Sequence, residues 1–285
     1  MGRTKMTNPS QDVVGDIAYI DVNGLEAEHL VYPLSSGKKI VRPQTKYQPM
    51  SIKDARHLHK IPSIDDEGFS IVRHKSSVTD FYDSNQITGQ YYSEIISLLK
   101  SQLHAKDVII FDYNQRSKVR AKAGQAEVRT PVAAAHVDYT DQSGPKRSRE
   151  ILENVQKTHH QNNRLALVNV WRPIIGPAQD FPLAICSANS VDDRDLVKTD
   201  IHHFGESDLK TPRHSGQIYS LKYNQQHEWY YYPDMQNNEV LLLRNWDSGK
   251  PSIHGYTPHT GFKNSLAPDN TIPRESIEIR TLVVF

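Results

Sequence analysis

Cysteine is nearly absent from this sequence of 285 residues, and its scarcity excludes several kinds of site. The single copy, Cys186, cannot form a disulfide within the chain, nor can it build a four-thiolate or paired CxxC zinc site. A reducing compartment suits such a chain best, so we expect a soluble, cytoplasmic protein.

Long apolar runs and an excess of one charge are also missing. The best apolar run, Leu165 to Val168, stops far short of the roughly 18 to 20 residues that span a bilayer, and the first residues, MGRTKMTNPSQ, lack a secretory signal's apolar core. Lys plus Arg total 34 against 33 Asp plus Glu, which gives no bulk field for a polyanion. We therefore expect neither membrane nor nucleic acid as a partner, and either a monomer or a homodimer.

The chain length allows one large domain or two small ones, and the pattern favours one domain over residues 1–285. Residues 1–105 are predicted to form an N-terminal arm and helices. The arm, extended over the first fifty residues, is followed by a short helix at 51–60 and a firmer helix at 84–103, where Ile87, Tyr91, Ile95 and Leu99 recur at helical spacing.

Residues 106–285 are predicted to form a β core with a polar, partly helical insert near 140–163. Eight short β-rich runs separated by turns indicate an antiparallel sandwich or jelly roll. These runs cover residues 108–111, 131–138, 166–171, 183–187, 217–223, 228–232, 240–246 and 277–285.

Histidine is plentiful, with 14 copies, and one of them opens a candidate metal motif. His136 and Asp138 lie at the end of an apolar strand-like run, where positions i and i+2 point to the same side and can converge on one ion. Chance alone places about one His-x-Asp in such a chain, so a solvated strand end is the alternative. His159-His160 and His202-His203, in polar stretches, are predicted to be surface pairs.

A third ligand is expected late in the chain, which would complete a triad of two histidines and one carboxylate. His259 is the first candidate and His254, five residues earlier, is the second. On the C-terminal strand, alternation places Arg274, Ser276, Glu278 and Arg280 on one face. An arginine there can bind a carboxylate bidentately, or it can form an internal salt bridge.

These motifs together resemble the iron(II)- and 2-oxoglutarate-dependent oxygenases. More narrowly, the chain from about Pro43 to its end resembles the hydroxylases and desaturases related to gibberellin desaturase and cephalosporin methoxylase. The segments that carry this resemblance are His136-Val137-Asp138, His259-Thr260-Gly261-Phe262, the strand from Arg274 to Arg280, and the segments at 169–174, 182–186, 229–235 and 246–248. One departure is Ser187, which follows Cys186 where that family has an acidic residue.

The resemblance implies a distorted double-stranded β-helix, a jelly roll, that holds Fe(II) through His136, Asp138 and His259. It implies that 2-oxoglutarate and O2 take the open positions on the metal, that ascorbate serves as the reductant in vitro, and that the substrate is a small natural product or amino-acid-like molecule. Hydroxylation, desaturation and oxidative cyclisation all remain open outcomes. Arg274, helped by Ser276, would anchor the 2-oxoglutarate carboxylate, with Arg280 as the alternative anchor.

Substrate contacts are expected from aromatic and polar residues near these ligands. The candidates are Tyr139, Asn169, Trp171, Arg172, Trp229 and Tyr231. Two other readings stay open: an iron oxidase that uses O2 without 2-oxoglutarate, and a jelly-roll binding module without catalysis.

Overall fold

The computed structural model describes residues 10–250 and 252–285 and contains two curled β-sheets. The strands are β1 (Val13–Ile20), β2 (Glu26–Val31), β3 (Thr45–Asp54), β4 (Phe69–Arg73), β5 (Asp107–Ser117), β6 (Val128–Arg129), β7 (His136–Val137), β8 (Leu165–Pro173), β9 (Leu183–Cys186), β10 (Leu196–Phe204), β11 (Pro212–Leu221), β12 (Trp229–Tyr231), β13 (Glu239–Asp247), β14 (His259–Gly261) and β15 (Glu275–Val284). The helices are α1 (Ser84–Gln86), α2 (Tyr92–Leu103), α3 (Lys118–Lys122) and α4 (Ser143–Asn154), with a π-helical turn at Ile87–Tyr91 that joins α1 to α2.

The larger sheet has nine strands in the order β1-β3-β12-β9-β14-β7-β11-β10-β2, and the smaller has six in the order β4-β13-β8-β15-β5-β6. Most neighbours run antiparallel, and each of the eight runs predicted after residue 106 contains a strand, although in the run at 131–138 only His136–Val137 is one. A parallel bridge between Ala18 and Ala134 joins β1 to the segment before β7. The larger sheet therefore curls back on itself. This two-sheet arrangement is the predicted jelly roll.

Helix α2 packs on the outer face of the smaller sheet. Ile95 and Leu99, both fully buried, join Val168 and Ile279 in one apolar cluster. The helix predicted over 84–103 is therefore confirmed, and its apolar stripe explains its position. Helix α4 confirms the helical part of the polar insert.

Two expectations for the N-terminal part are wrong. The first fifty residues contain β1, β2 and part of β3, which pair within the larger sheet and are not an arm lying against a finished core. The helix expected at 51–60 is the end of β3 followed by a short 3-10 turn at Ala55–His57. Met50, Ile52 and Asp54 are buried alternately with exposed or half-buried neighbours, so period-two burial prevails over helix propensity.

Among the described residues, no helix is both long enough and apolar enough to cross a membrane.

Candidate metal centre

Three side chains predicted as metal ligands meet inside the jelly roll. His136 on β7 and His259 on β14 are directly opposite in the antiparallel pair, and Asp138 follows β7 by one residue. One ligand atom from each lies within 4.8 Å of the others, and His136 Nε2 is 3.4 Å from an Asp138 carboxylate oxygen. The structure thus brings together the residues that the spacing suggested.

Backbone carbonyls set the orientation of both imidazoles. His136 Nδ1 lies 2.8 Å from the carbonyl oxygen of Ala134, and His259 Nδ1 lies 3.1 Å from that of Thr257. Because a carbonyl only accepts, each Nδ1 carries the proton and each Nε2 keeps its lone pair free to bind a metal. Two outer hydrogen bonds hold Asp138: Asn169 donates to its carboxylate at 2.7 Å, and the Asp138 backbone N–H donates to the Asn245 side chain at 3.3 Å.

The pKa shifts favour a neutral ring at His259 and a carboxylate at Asp138, whereas His136 competes with protons. Burial lowers the pKa of His259 to about 4, and the nearby His136 adds to this shift. Burial would lower the pKa of His136 too, but the attractions of its protonated ring to the Asp138 carboxylate and to the Ala134 carbonyl oxygen together outweigh burial and raise it. Burial likewise opposes ionisation of Asp138, yet His136, His259 and Arg280 together bring its pKa well below the usual range. A carboxylate and two imidazoles with free Nε2 atoms on one side are the donor set of non-haem Fe(II) oxygenases, which leave further positions open.

Arg274 is buried, and no carboxylate of the described residues forms an ion pair with its guanidinium. Its Nη1 donates to the carbonyl oxygen of Phe181 at 2.7 Å, and its buried Nε has no partner. Burial, followed by the charge of Arg116, lowers its pKa to about 9. The guanidinium lies over the Trp171 ring, 5.6 Å from the centroid.

The position of Arg274 relative to the triad follows from strand β8. Trp171 and Asn169 lie two residues apart on one face of β8, which separates them by about 7 Å. Asn169 contacts Asp138, whereas Trp171 contacts Arg274. A short dicarboxylate could span this interval between metal and guanidinium.

Arg280 differs from Arg274 because its charge is already paired. Its Nε and Nη2 both donate to the Asp112 carboxylate, which is opposite Arg280 across β5 and β15. Tyr139, buried beside Asp138, is close enough for the charges of Arg280 and Asp138 to act on its phenol, although burial is the main cause of its raised pKa. Ser276 is buried on the same face as Arg280, opposite Arg116.

The structure does not bring Arg172 to the triad. Arg172 follows Trp171 and therefore points to the opposite face of the smaller sheet, where it is fully buried against the segment that precedes α2. Its Nη2 donates to the carbonyl oxygens of His74 and Asn237, and its guanidinium lies over Phe81 and Tyr91. Arg172 therefore links the smaller sheet to the segments that pack on its outer face.

Trp229 and Tyr231 are also placed away from the triad. Across the larger sheet, Tyr230 pairs with Ile185 and Ile185 pairs with His259, so these three share the inward face. Trp229 and Tyr231 take the other face, in a cluster with Tyr19 and Phe262. The sequence predicts that alternate residues of this run of four aromatics face the same side of the sheet, but it does not predict which two face the triad.

Histidines outside the triad occupy other places. His254, the second candidate ligand, is exposed on the turn Ser252–Gly255 and is not among the converging residues. His202 hydrogen-bonds Ser215 near the surface, and His159 and His160 lie with their rings 4.1 Å apart on a short turn.

Two charged residues near the triad were not predicted to have roles. Arg116 on β5 donates to the Thr130 carbonyl oxygen, and burial lowers its pKa. Burial, followed by the charge of Asp138, raises the pKa of Glu278 to about 7. Arg116 carries no local motif, and only the pairing of β5 with β15 reveals its position opposite Ser276.

Comparison with known proteins shows which family this chain resembles. A family model described as "Oxidoreductase/YMDC permease-like domain" matches residues 18–284. The hydroxylase/desaturase efuI of Hormonema carpetanum is 30% identical over 257 residues, which are 84% of each chain. The alpha-ketoglutarate-dependent dioxygenase tstK of Talaromyces stipitatus is 30% identical over 234 residues, 78% of this chain and 80% of that protein.

A solved structure supports the fold. The iron and alpha-ketoglutarate-dependent endoperoxidase NvfI matches with a TM-score of 0.84 and 20% identity, over 98% of this chain and 99% of that one. At this identity the likeness bears on the fold alone, and it agrees with the predicted jelly roll.

Proposed function

This chain belongs to the family of that oxidoreductase model and of the iron(II)- and 2-oxoglutarate-dependent hydroxylases and desaturases, and from this premise we propose that His136, Asp138 and His259 hold its Fe(II) ion. The observation that carries the proposal is the meeting of their ligand atoms within 4.8 Å, with both Nδ1 atoms committed to carbonyl oxygens. Bound Fe(II) supplies O2 activation coupled to decarboxylation of 2-oxoglutarate, which yields succinate and CO2.

Arg274 is proposed to anchor the distal carboxylate of 2-oxoglutarate. Its buried Nε has no partner, and no carboxylate in the described chain forms an ion pair with it, so the anion would supply what the guanidinium lacks. Arg280 already forms an ion pair with Asp112, which favours Arg274 over Arg280. Ser276, buried two residues after Arg274, is proposed to add a hydroxyl contact.

The substrate is proposed to be a small natural product that is hydroxylated, desaturated or oxidatively cyclised. Trp171, with the inward-facing Ile185 and Tyr230, gives an apolar wall between the sheets. Tyr139 and Asn169 add a phenol and an amide beside Asp138, and their roles as substrate contacts are part of the proposal. We further propose that the chain acts as a single domain in the cytoplasm, as a monomer or homodimer.

The test is succinate formation from 2-oxoglutarate with Fe(II), O2 and ascorbate. We expect wild-type protein to form succinate and Asp138→Ala to lose the activity. Asp141→Ala is the matched control, because Asp141 lies only three residues away but its carboxylate contacts Lys198 and Tyr219. Equal succinate formation by wild type and Asp138→Ala would refute the proposed site.

A further inference from the structure

A buried chain of four side chains lies outside the metal centre. Trp229 Nε1 lies 2.7 Å from the Tyr19 hydroxyl, the same hydroxyl lies 3.2 Å from His227 Nδ1, and His227 Nε2 lies 3.1 Å from an Asp195 carboxylate oxygen. Each residue is at least nine-tenths buried. Neither the metal site nor the proposed reaction uses any of them.

The residues at the two ends of this hydrogen-bonded chain, Trp229 and Asp195, determine which atom carries each proton. The Trp229 indole can only donate, so the Tyr19 oxygen accepts from it and must direct its own proton to His227. The Asp195 carboxylate can only accept, so His227 Nε2 carries a hydrogen and Nδ1 is a free acceptor. Burial lowers the pKa of His227, which keeps the ring neutral and able to take a proton. Tyr19 therefore has a base ready for its phenolic proton, and Asp195 is placed to stabilise the imidazolium that would form.

The same aromatic residues connect the interior to the surface. The Tyr19 ring centroid is 6.2 Å from that of Trp229 and 5.5 Å from that of Tyr223, whose side chain is 45% exposed. Toward the metal centre, Trp229 pairs across the sheet with Cys186, and the next residue, Ile185, pairs with His259, so the indole lies on the opposite face of the sheet from the His259 ring. Two strand spacings place the Trp229 and His259 backbones about 10 Å apart.

We propose that Trp229, Tyr19 and Tyr223 form a redox relay that removes oxidising equivalents from the metal centre when no substrate consumes them. Tyr19 gives one electron inward through Trp229, and its phenolic proton moves to His227 Nδ1. The neutral phenoxyl radical is then reduced by one electron that enters through Tyr223 from an ene-diol reductant such as ascorbate, and the proton returns to the phenol. This role rests on the proposed function, but the redox property of Tyr19 does not.

Tyr91 is an internal control for this chemistry. It is fully buried like Tyr19, but among the described residues its hydroxyl has no acceptor for its proton, and the charged group beside it is the Arg172 guanidinium. Oxidation there has no base to receive the proton. A general effect of buried tyrosine would involve both residues, whereas the relay involves Tyr19 alone.

The first test uses protein without iron, so that it is independent of the oxygenase activity. Because the only native cysteine is buried, Gln225→Cys on the exposed loop beside Tyr223 accepts a single ruthenium polypyridyl photo-oxidant. Flash-quench oxidation is expected to give a long-lived tyrosyl radical by EPR. The long-lived component should be lost in Tyr19→Phe and retained in Tyr91→Phe.

His227→Gln tests the proton acceptor while Tyr19 stays in place. We expect the long-lived radical to be lost and the solvent-isotope effect on its formation to disappear, with folding checked by thermal unfolding. A long-lived radical that persists in folded Tyr19→Phe, or that His227→Gln leaves unchanged, would overturn the proposal.

A second test uses the iron-loaded enzyme without substrate. Trp229→Phe and Tyr223→Phe should inactivate after fewer turnovers of 2-oxoglutarate and should show more oxidised peptides near His136 by mass spectrometry. Tyr47→Phe, another exposed tyrosine, should match wild type. Equal peptide oxidation in all variants would contradict the relay. Failure of the proposed oxygenase function would appear separately, as absent succinate in a protein that still forms the Tyr19 radical.

Discussion

Asn169 donates a hydrogen bond of 2.7 Å to the Asp138 carboxylate oxygen Oδ2, while the other oxygen, Oδ1, lies 3.4 Å from His136 Nε2. The amide thus fixes which carboxylate oxygen faces the ligand atoms of the triad. It also links the smaller sheet, which carries Asn169, to the larger sheet, which carries both histidines.

Asn169→Ala should therefore weaken metal binding without removing a ligand. Loss of such an outer hydrogen bond typically costs about 10- to 100-fold in metal affinity. Anaerobic titration with Fe(II) or Co(II) measures the effect, and Asn163→Ala on the preceding surface turn is the control. Affinity equal to wild type would mean that Asp138 needs no support from β8.

Arg274→Gln should raise the KM for 2-oxoglutarate by about 10- to 100-fold, the range expected for a lost charge-assisted hydrogen bond. Arg280→Gln is the comparison, because its charge is paired with Asp112. It should lower the free energy of unfolding but change the KM little. The reverse result, a raised KM only in Arg280→Gln, would make Arg280 the anchor. A KM that neither variant changes would mean that neither arginine anchors the carboxylate.

Metal affinity should fall as the pH decreases. Binding requires a neutral imidazole, and although burial opposes it, Asp138 and the Ala134 carbonyl oxygen together raise the pKa of His136 above the ordinary value of about 6.5. Protons therefore begin to compete at His136 near neutral pH, whereas His259, with a pKa of about 4, stays available. Co(II) titrations between about pH 8 and pH 5 should show this loss, and a constant affinity over that range would contradict it.

Arg172→Ala should destabilise the fold and leave the metal site intact. The change removes a fully buried side chain and two hydrogen bonds to carbonyl oxygens, which should lower the free energy of unfolding by about 2–4 kcal/mol. Urea unfolding measures this, and Arg194→Ala, at an exposed position, is the control. Unchanged stability with impaired turnover would instead support a role in binding substrate.

Local patterns predicted much of this protein because several features depend on near neighbours in the chain. The β runs after residue 106, the helix at 84–103 and the convergence of His136 with Asp138 all follow from side-chain periodicity. For the third ligand, local spacing left both His259 and His254 as candidates, since the pairing of His259 with His136 spans more than a hundred residues.

What could not be predicted depends on long-range pairing. Lys53 and Arg56 are helix-forming residues, yet Lys53 lies at the end of β3 and Arg56 just after it. The strand forms there because β1 and β12 pair with it on its two sides. Pairing with β9 determines which residues of the run Trp229 to Tyr232 face the triad. The roles of Arg172 and Arg116 depend on which face of the smaller sheet each side chain occupies. Composition and local spacing carry no information about these partners.

The most direct test of the metal centre is the iron content of matched histidine variants after anaerobic reconstitution. Wild type and His254→Ala should each bind one Fe(II) per chain, because His254 is exposed and outside the triad. His259→Ala should bind markedly less and form no succinate. Full iron binding and activity in His259→Ala, or their loss only in His254→Ala, would contradict the account.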